Sequence, residues 1–332
     1  MTDSTLPDAP TFLTASPPFD NPDADMIIRT SDHVDFRVHK FILREVSPIF
    51  ADMMSLPPTR DSSGVVDVTE DSVVWDHILR MCYPFARPAA IAPDRFWPLL
   101  EAAKKYAMQG VRETAGREML ASTMLEQAPL RVYALACGYG LHDVAIAAAR
   151  ASLRQPLDED TLVPELRCVT SAAYFNLLQY RRNCVKAATA FVDDCKGSKG
   201  FWREGWGNYT CGWAISPPNT EPKHDPRCFN SAAKIKTYKL YQPTGSKQIH
   251  VILCPARRVF EDYITRSAEA LEATPHGAVV LDPHIIAATV QQASICAVCR
   301  TNEQADQIVR FIKFHASDID AAVAKVELKI EA

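Results

Sequence analysis

The feature that most constrains this chain is a switch of hydrophobic period between Asp25 and Met54. Val34, Phe36 and Val38 alternate with Asp35, Arg37 and His39, the period-2 pattern of a strand with one buried face. Just before it, Met26-Ile27-Ile28 forms a short apolar run. Thr30-Ser31-Asp32-His33 supplies turn chemistry between the two, so they read as a hairpin. Directly afterwards the pattern turns helical, over Lys40–Arg44 and then Ser47–Met54. Ser47-Pro48 starts the second of these helices, because serine caps free N–H groups and proline suits the first helical position. Pro57-Pro58 is its stop signal.

The same reading continues downstream. Val65–Val68 is a third short strand, and Thr69 or Asp71 caps a helix with Trp75, Ile78, Leu79 and Cys82 on one stripe. Further helices are expected from Asp94, with Phe96, Leu99, Leu100 and Ala103 inward, and over Val111–Met124. Pro129–Cys137 and Leu141–Leu153 flank Gly138-Tyr139-Gly140 as a helical hairpin, and 171–195 stays in helical register. Residues 196–232 then lose any period. They hold Trp202, Trp206 and Trp213 among glycines, prolines and asparagines, a cluster that is either a core plug under a long loop or an exposed docking surface. Lys234–Tyr241 and Gln248–Cys254 are expected to pair across Pro243-Thr244-Gly245, and helices return at 257–273, 284–296 and 302–326.

Asp25-Met-Ile-Ile-Arg, Asp35-Phe-Arg-Val-His-Lys-Phe-Ile-Leu43 and Ser47-Pro-Ile-Phe-Ala-Asp-Met53 resemble, in order and spacing, the first half of a BTB/POZ domain. The resemblance implies an α+β domain, a small sheet wrapped by helices, followed here by a mainly helical C-terminal region with a hairpin. The expected organisation is a disordered lead-in over 1–22, the BTB/POZ domain over 23–125, a helical extension over 126–195, and a C-terminal region over 196–332 that is loop-rich at 196–232. Arg131–Cys137, and Cys296-Ala-Val-Cys299 in a late helix, are similar to the continuation found in fungal BTB proteins.

The same resemblance implies a non-enzymatic protein-interaction adaptor that forms homodimers. It also implies a charged dimer pocket whose positions match Asp25 and Lys40 here. A carboxylate and an ammonium tolerate burial only as a pair. The alternative is that Asp25 merely precedes a strand and Lys40 is a solvated helix residue. His39 has no Cys or carboxylate at ligand spacing, so it is expected to be structural, hydrogen-bonded between strand and helix. Many BTB proteins bind cullin ubiquitin ligases through a hydrophobic-x-Glu motif past the second helix. Met53 to Asp61 contains no Glu, which weakens that corollary.

Chemistry elsewhere in the chain is sparse. Cys296-x-x-Cys299 could fill two corners of a tetrahedral zinc site, with Cys211, Cys228 or His224 as partners. No second C-x-x-C accompanies it, and cysteines at i, i+3 on an apolar helix pack as core, so no metal and no cofactor are expected. No thioredoxin-like context supports a redox pair. From Lys223 to Arg258 there are eight Lys/Arg against one acid, Asp225, with Tyr238 and Tyr241 among Lys234, Lys236 and Lys239. This is either a face for nucleic acid or chromatin, or a lysine-protected edge strand, and the second is favoured. The net charge of −4 gives no whole-chain pull toward nucleic acid. Gly138-x-Gly140 lacks the strand and third glycine of a dinucleotide loop, and neither G-x-S-x-G nor H-E-x-x-H occurs. Residues 1–25 hold five prolines and no Lys or Arg, unlike a signal peptide, and no apolar run approaches the roughly 20 residues that span a bilayer. With ten cysteines scattered through helical segments, a reducing interior, cytosol or nucleus, is expected.

Overall fold

A computed structural model describes residues 12–56, 64–84, 90–157, 162–196, 214, 224–229, 237–243, 249–255 and 257–330. The chain divides into two compact units: Met1–Ala149 with Leu162–Ser171 and the terminal Ala332, and Arg150–Thr161 with Ala172–Glu331.

The first unit is organised by the hairpin that the period-2 pattern calls for. β1 is Leu13–Thr14, β2 is Met26–Arg29 and β3 is Val34–Val38. β2 and β3 pair antiparallel with Met26 opposite Val38 and Ile28 opposite Phe36, so these four side chains share the buried face. At the turn, Thr30 N–H donates to the Val34 carbonyl and His33 takes the left-handed conformation (φ 62°), which histidine adopts more readily than most residues. α1 is Lys40–Val46, α2 is Pro48–Ser55 and β4 is Val65–Asp67. β4 lies parallel to β2, and β1 lies parallel to β3, giving a four-stranded sheet in the order β1-β3-β2-β4.

Helices cover this sheet. α3 is Ser72–Cys82, capped by the Asp71 carboxylate; α4 is Phe96–Lys105 and α5 is Gln109–Ala121. Ser47 caps α2 by accepting the Phe50 N–H, and its hydroxyl donates to the Tyr106 carbonyl at 2.6 Å. Above that cap, Phe50 stacks on Tyr106 with centroids 5.2 Å apart, and fully buried Trp75 meets both rings. The unit continues through α6 (Met124–Gln127), α7 (Pro129–Gly138) and α8 (His142–Ala151), whose last residues pass into the second unit. A Cβ on Gly138 would stand 2.6 Å from the Cys168 carbonyl oxygen, so glycine is required there.

One expectation is corrected here. The disordered lead-in does not extend to residue 22, because the chain is packed from Phe12 onward. Phe19 is fully buried against Phe36 and Tyr83, its carbonyl accepts the Arg37 N–H, and β1 edges the sheet. Average composition hid this, since one buried aromatic and a few edge hydrogen bonds order a segment that is polar on the whole. The first unit also runs past residue 125 to Ala149.

The second unit holds α9 (Ser171–Lys196, from Ala172), the antiparallel pair β5 (Thr237–Pro243) and β6 (Ile249–Pro255), and three further helices. These are α10 (Arg258–Ala273), α11 (Pro283–Ala293) and α12 (Asn302–Val323). α10 buries Phe260, Tyr263, Ile264, Ser267 and Leu271 along one stripe. Tyr263 and Phe260 meet Phe311 of α12, and the Tyr263 hydroxyl lies 2.7 Å from His315 Nδ1. Among the described residues no helix is long and apolar enough to cross a membrane.

Candidate functional site

Two places carry the side chains that the sequence singled out. In the first unit, β2 and α1 bring Asp25 to Lys40. The Asp25 carboxylate accepts the Lys40 backbone N–H at 2.8 Å, which satisfies one free donor at the start of α1. Both residues are exposed, and among the described residues no ion pair joins the Lys40 ammonium to Asp25. His39 sits half-buried at the strand-to-helix joint. Its backbone N–H donates to the Tyr83 hydroxyl at 2.9 Å, while its ring makes no capping bond. Large apolar side chains also face outward nearby in the chain: Phe41 of α1 is 65% exposed, with Ile49 of α2 and Leu56 just after it exposed too.

In the second unit the structure gathers four side chains whose donor atoms lie within 4.8 Å of one another: His224, Cys228, Cys296 and Cys299. His224 and Cys228 stand at either end of a short segment with a 3-10 turn, Pro226–Cys228, opened by Asp225. Cys296 and Cys299 belong to a tight turn in which the Cys299 and Arg300 N–H groups both reach the Cys296 carbonyl, at 3.1 and 2.9 Å. This corrects the expectation of a helix over 284–296. α11 stops at Ala293, and the cysteine pair lies beyond it in a turn instead of packing along an apolar helix.

The contacts within the cluster are specific. Cys228 Sγ is 3.9 Å from Cys299 Sγ, and His224 Nδ1 is 3.3 Å from Cys299 Sγ and 3.7 Å from Cys296 Sγ. The Asp225 N–H points at Cys296 Sγ at 3.4 Å. Arg257, 5% exposed, extends one arm to Cys299 Sγ at 3.1 Å and the other to His224 Nε2 at 2.9 Å. Burial pushes the Cys296 thiol up, but N–H groups of Asp225 and Cys299 and the His224 ring outweigh it and draw it down to about 6. Elsewhere burial has its usual effect, raising Cys82 to about 12 and Cys184 to about 11.

Of the partners considered for Cys296 and Cys299, His224 and Cys228 are brought to them, while Cys211 lies outside the described residues, as do Trp202, Trp206 and Trp213. The usable signal was the His-x-x-x-Cys spacing of His224 and Cys228. What the sequence reading missed is Arg257, which it counted as part of a basic face. It is buried on the cluster, and Arg227 is turned back onto Asp225 at 2.8 Å. Lys234, Lys236 and Lys247 lie outside the described residues.

Comparison with known proteins bears on the first unit. The family model described as BTB/POZ domain matches residues 19–123. No curated protein matches the chain. Among solved structures, the chain is similar to the BTB domain of zebrafish PATZ1 at 23% identity, covering 30% of this chain and 77% of that one, with a TM-score of 0.25.

Proposed function

We propose that the protein is a non-enzymatic adaptor that self-associates through the region matched by the BTB/POZ family model, residues 19–123, and presents its second unit to other proteins. Such domains are typically interaction modules rather than enzymes, and general protein–protein interaction follows from the family itself.

The observation that carries self-association is Phe41. It leaves most of a large aromatic surface in water, on the helix that also bears Lys40, and is the more exposed of the unit's two exposed described aromatics, Phe12 being the other at 41%. Isolated exposed apolar residues are ordinary. Phe41 and Ile49 on two successive helices, with Leu56 just past the second, are what an interface with a second copy would cover. Asp25 and Lys40 are the pocket residues in this reading. Their side chains sit at the surface beside one shared helix start, and burying both in a dimer is tolerable only if they pair.

Light scattering of the full chain across a concentration series tests the proposal. A dimer is expected, dissociating on dilution, and Phe41→Asp should yield a folded monomer. A wild-type protein that stays monomeric at its highest soluble concentration overturns self-association. Cullin recruitment is not part of the proposal, since Met53 to Asp61 offers no Glu. Cytosol or nucleus remains the proposed compartment. The described cysteines, all free thiols, fit a reducing one.

A further inference from the structure

We propose that His224, Cys228, Cys296 and Cys299 bind a single zinc ion as a closed, structural Cys3His site that ties the 224–229 segment to the turn between α11 and α12.

Geometry supports this first. Zinc takes thiolate sulfur at about 2.3 Å and imidazole nitrogen at about 2.0–2.1 Å in a tetrahedron, so ligand atoms should stand about 3.8 Å apart for two sulfurs and about 3.6 Å for sulfur and nitrogen. The observed 3.9 Å between Cys228 and Cys299, and 3.7 and 3.3 Å from His224 Nδ1 to Cys296 and Cys299, come close to three of the six edges, and the remaining three are within 4.8 Å. With every donor within 4.8 Å of the others there is room for one ion and not for a multi-iron cluster. Four protein donors leave no open position, which makes the site structural, and a soft thiolate-rich tetrahedron selects zinc over magnesium or calcium.

Charge supports it independently. Arg257 is buried, its Nε meets no partner, and among the described residues no carboxylate pairs with it. A buried guanidinium needs an anion. Three thiolates, a neutral imidazole and a divalent ion sum to one negative charge, which the Arg257 arm at Cys299 Sγ balances. The Asp225 N–H at Cys296 Sγ is a second donor of the kind that steadies a metal thiolate. Ligation through His224 Nδ1 puts the ring proton on Nε2, the atom 2.9 Å from Arg257 Nη2. Two donors cannot face each other there, so binding requires Arg257 to turn that arm away and keep the one on Cys299.

The test uses the full chain, purified under reducing conditions, with metal content measured by mass spectrometry and cobalt(II) titrated into chelator-stripped protein. About one zinc per chain is expected, along with the intense visible bands of tetrahedral cobalt thiolate. Cys228→Ser and Cys296→Ser should each lower metal content roughly tenfold or more, while Cys184→Ser, at a buried cysteine outside the cluster, should not. His224→Cys should keep the metal and shift the cobalt bands toward those of four thiolates. Three results overturn the proposal: stripped wild-type protein that gives no tetrahedral cobalt spectrum, zinc undiminished in both serine variants, or a disulfide among the three cysteines in freshly reduced protein. The cobalt titration needs only wild-type protein, so it decides even if a variant does not fold.

Discussion

The two units close by different means. In the first, the core is built mainly through elements with a period, the strand face of Met26, Ile28, Phe36 and Val38 and the helix stripes that bring Phe50, Trp75 and Tyr106 together, with Phe19 of the irregular lead-in packed against them. In the second, α10 and α12 meet in the same way through Phe260, Tyr263 and Phe311. The segments at 224–229 and 294–301 do not. They have turns in place of elements, and what holds them is sulfur, imidazole and guanidinium. A long amphipathic element can repay its ordering by apolar burial alone. A turn of five or six residues cannot, and needs directional bonds or a shared ion.

Phe36→Asp strikes the first mode hardest. Phe36 is buried opposite Ile28, and an unpaired carboxylate there costs several kcal/mol, comparable to a whole domain's stability of roughly 5–15 kcal/mol. The first unit should lose its cooperative melt while zinc content stays near the wild-type value. A folded mutant would mean that the strand register is wrong. Loss of zinc along with the melt would mean that the two modes of closure are not separate.

Metal removal is the reciprocal experiment. An ion present at a thousand times its dissociation constant adds about 4 kcal/mol to the state that binds it, or about 8–16 °C in a unit of this size. Stripping the protein with a chelator should lower the melting of the second unit by that order and leave the first unit unmoved. Equal shifts in both, or in neither, would break the comparison.

These two modes differ just as much in how visible they are in sequence. The period-2 run from Val34 to Val38 and the Ser47-Pro48 start signal each mark a local structure that forms as read. The end of α11 is not marked. Ser294 caps it by donating to the Gln291 carbonyl, but Ile295, Cys296, Ala297 and Val298 continue an apolar run without glycine or proline, so nothing local separates a turn from another helical turn. Cys228 and Cys299 are 71 positions apart, and no period connects them. Phe19 escaped for a related reason: one aromatic in a Pro-rich stretch has no neighbours from which to build a pattern.

Arg257 offers a finer probe of the second mode. Arg257→Gln keeps a donor near Cys299 and removes the charge, so it should weaken metal affinity roughly 10–100-fold, about 1.4–2.8 kcal/mol, with stoichiometry retained. Competition against a chromophoric chelator measures this. Arg257→Lys should recover part of the loss. Unchanged affinity in Arg257→Gln would show that the guanidinium serves packing and not the charge balance of the cluster.

The smallest effects separate the units at a common motif, the hydroxyl cap. Ser47 caps α2 from a fully buried position and also holds the Tyr106 carbonyl. Thr301 caps α12 from the surface by accepting the Gln304 N–H at 3.2 Å. Ser47→Ala removes a cap and strands a buried carbonyl, so about 2 kcal/mol should be lost from the first unit. Thr301→Ala loses the cap alone, where water can replace it, and about 0.5–1 kcal/mol is expected from the second. Chemical denaturation of each variant gives both numbers. Thr301 follows directly on Arg300, whose N–H closes the Cys296 turn, so its cap also steadies the helix end that carries that turn. If the metal is what fixes the turn, the Thr301→Ala loss should grow once zinc is removed, whereas the Ser47→Ala loss should be the same with and without it.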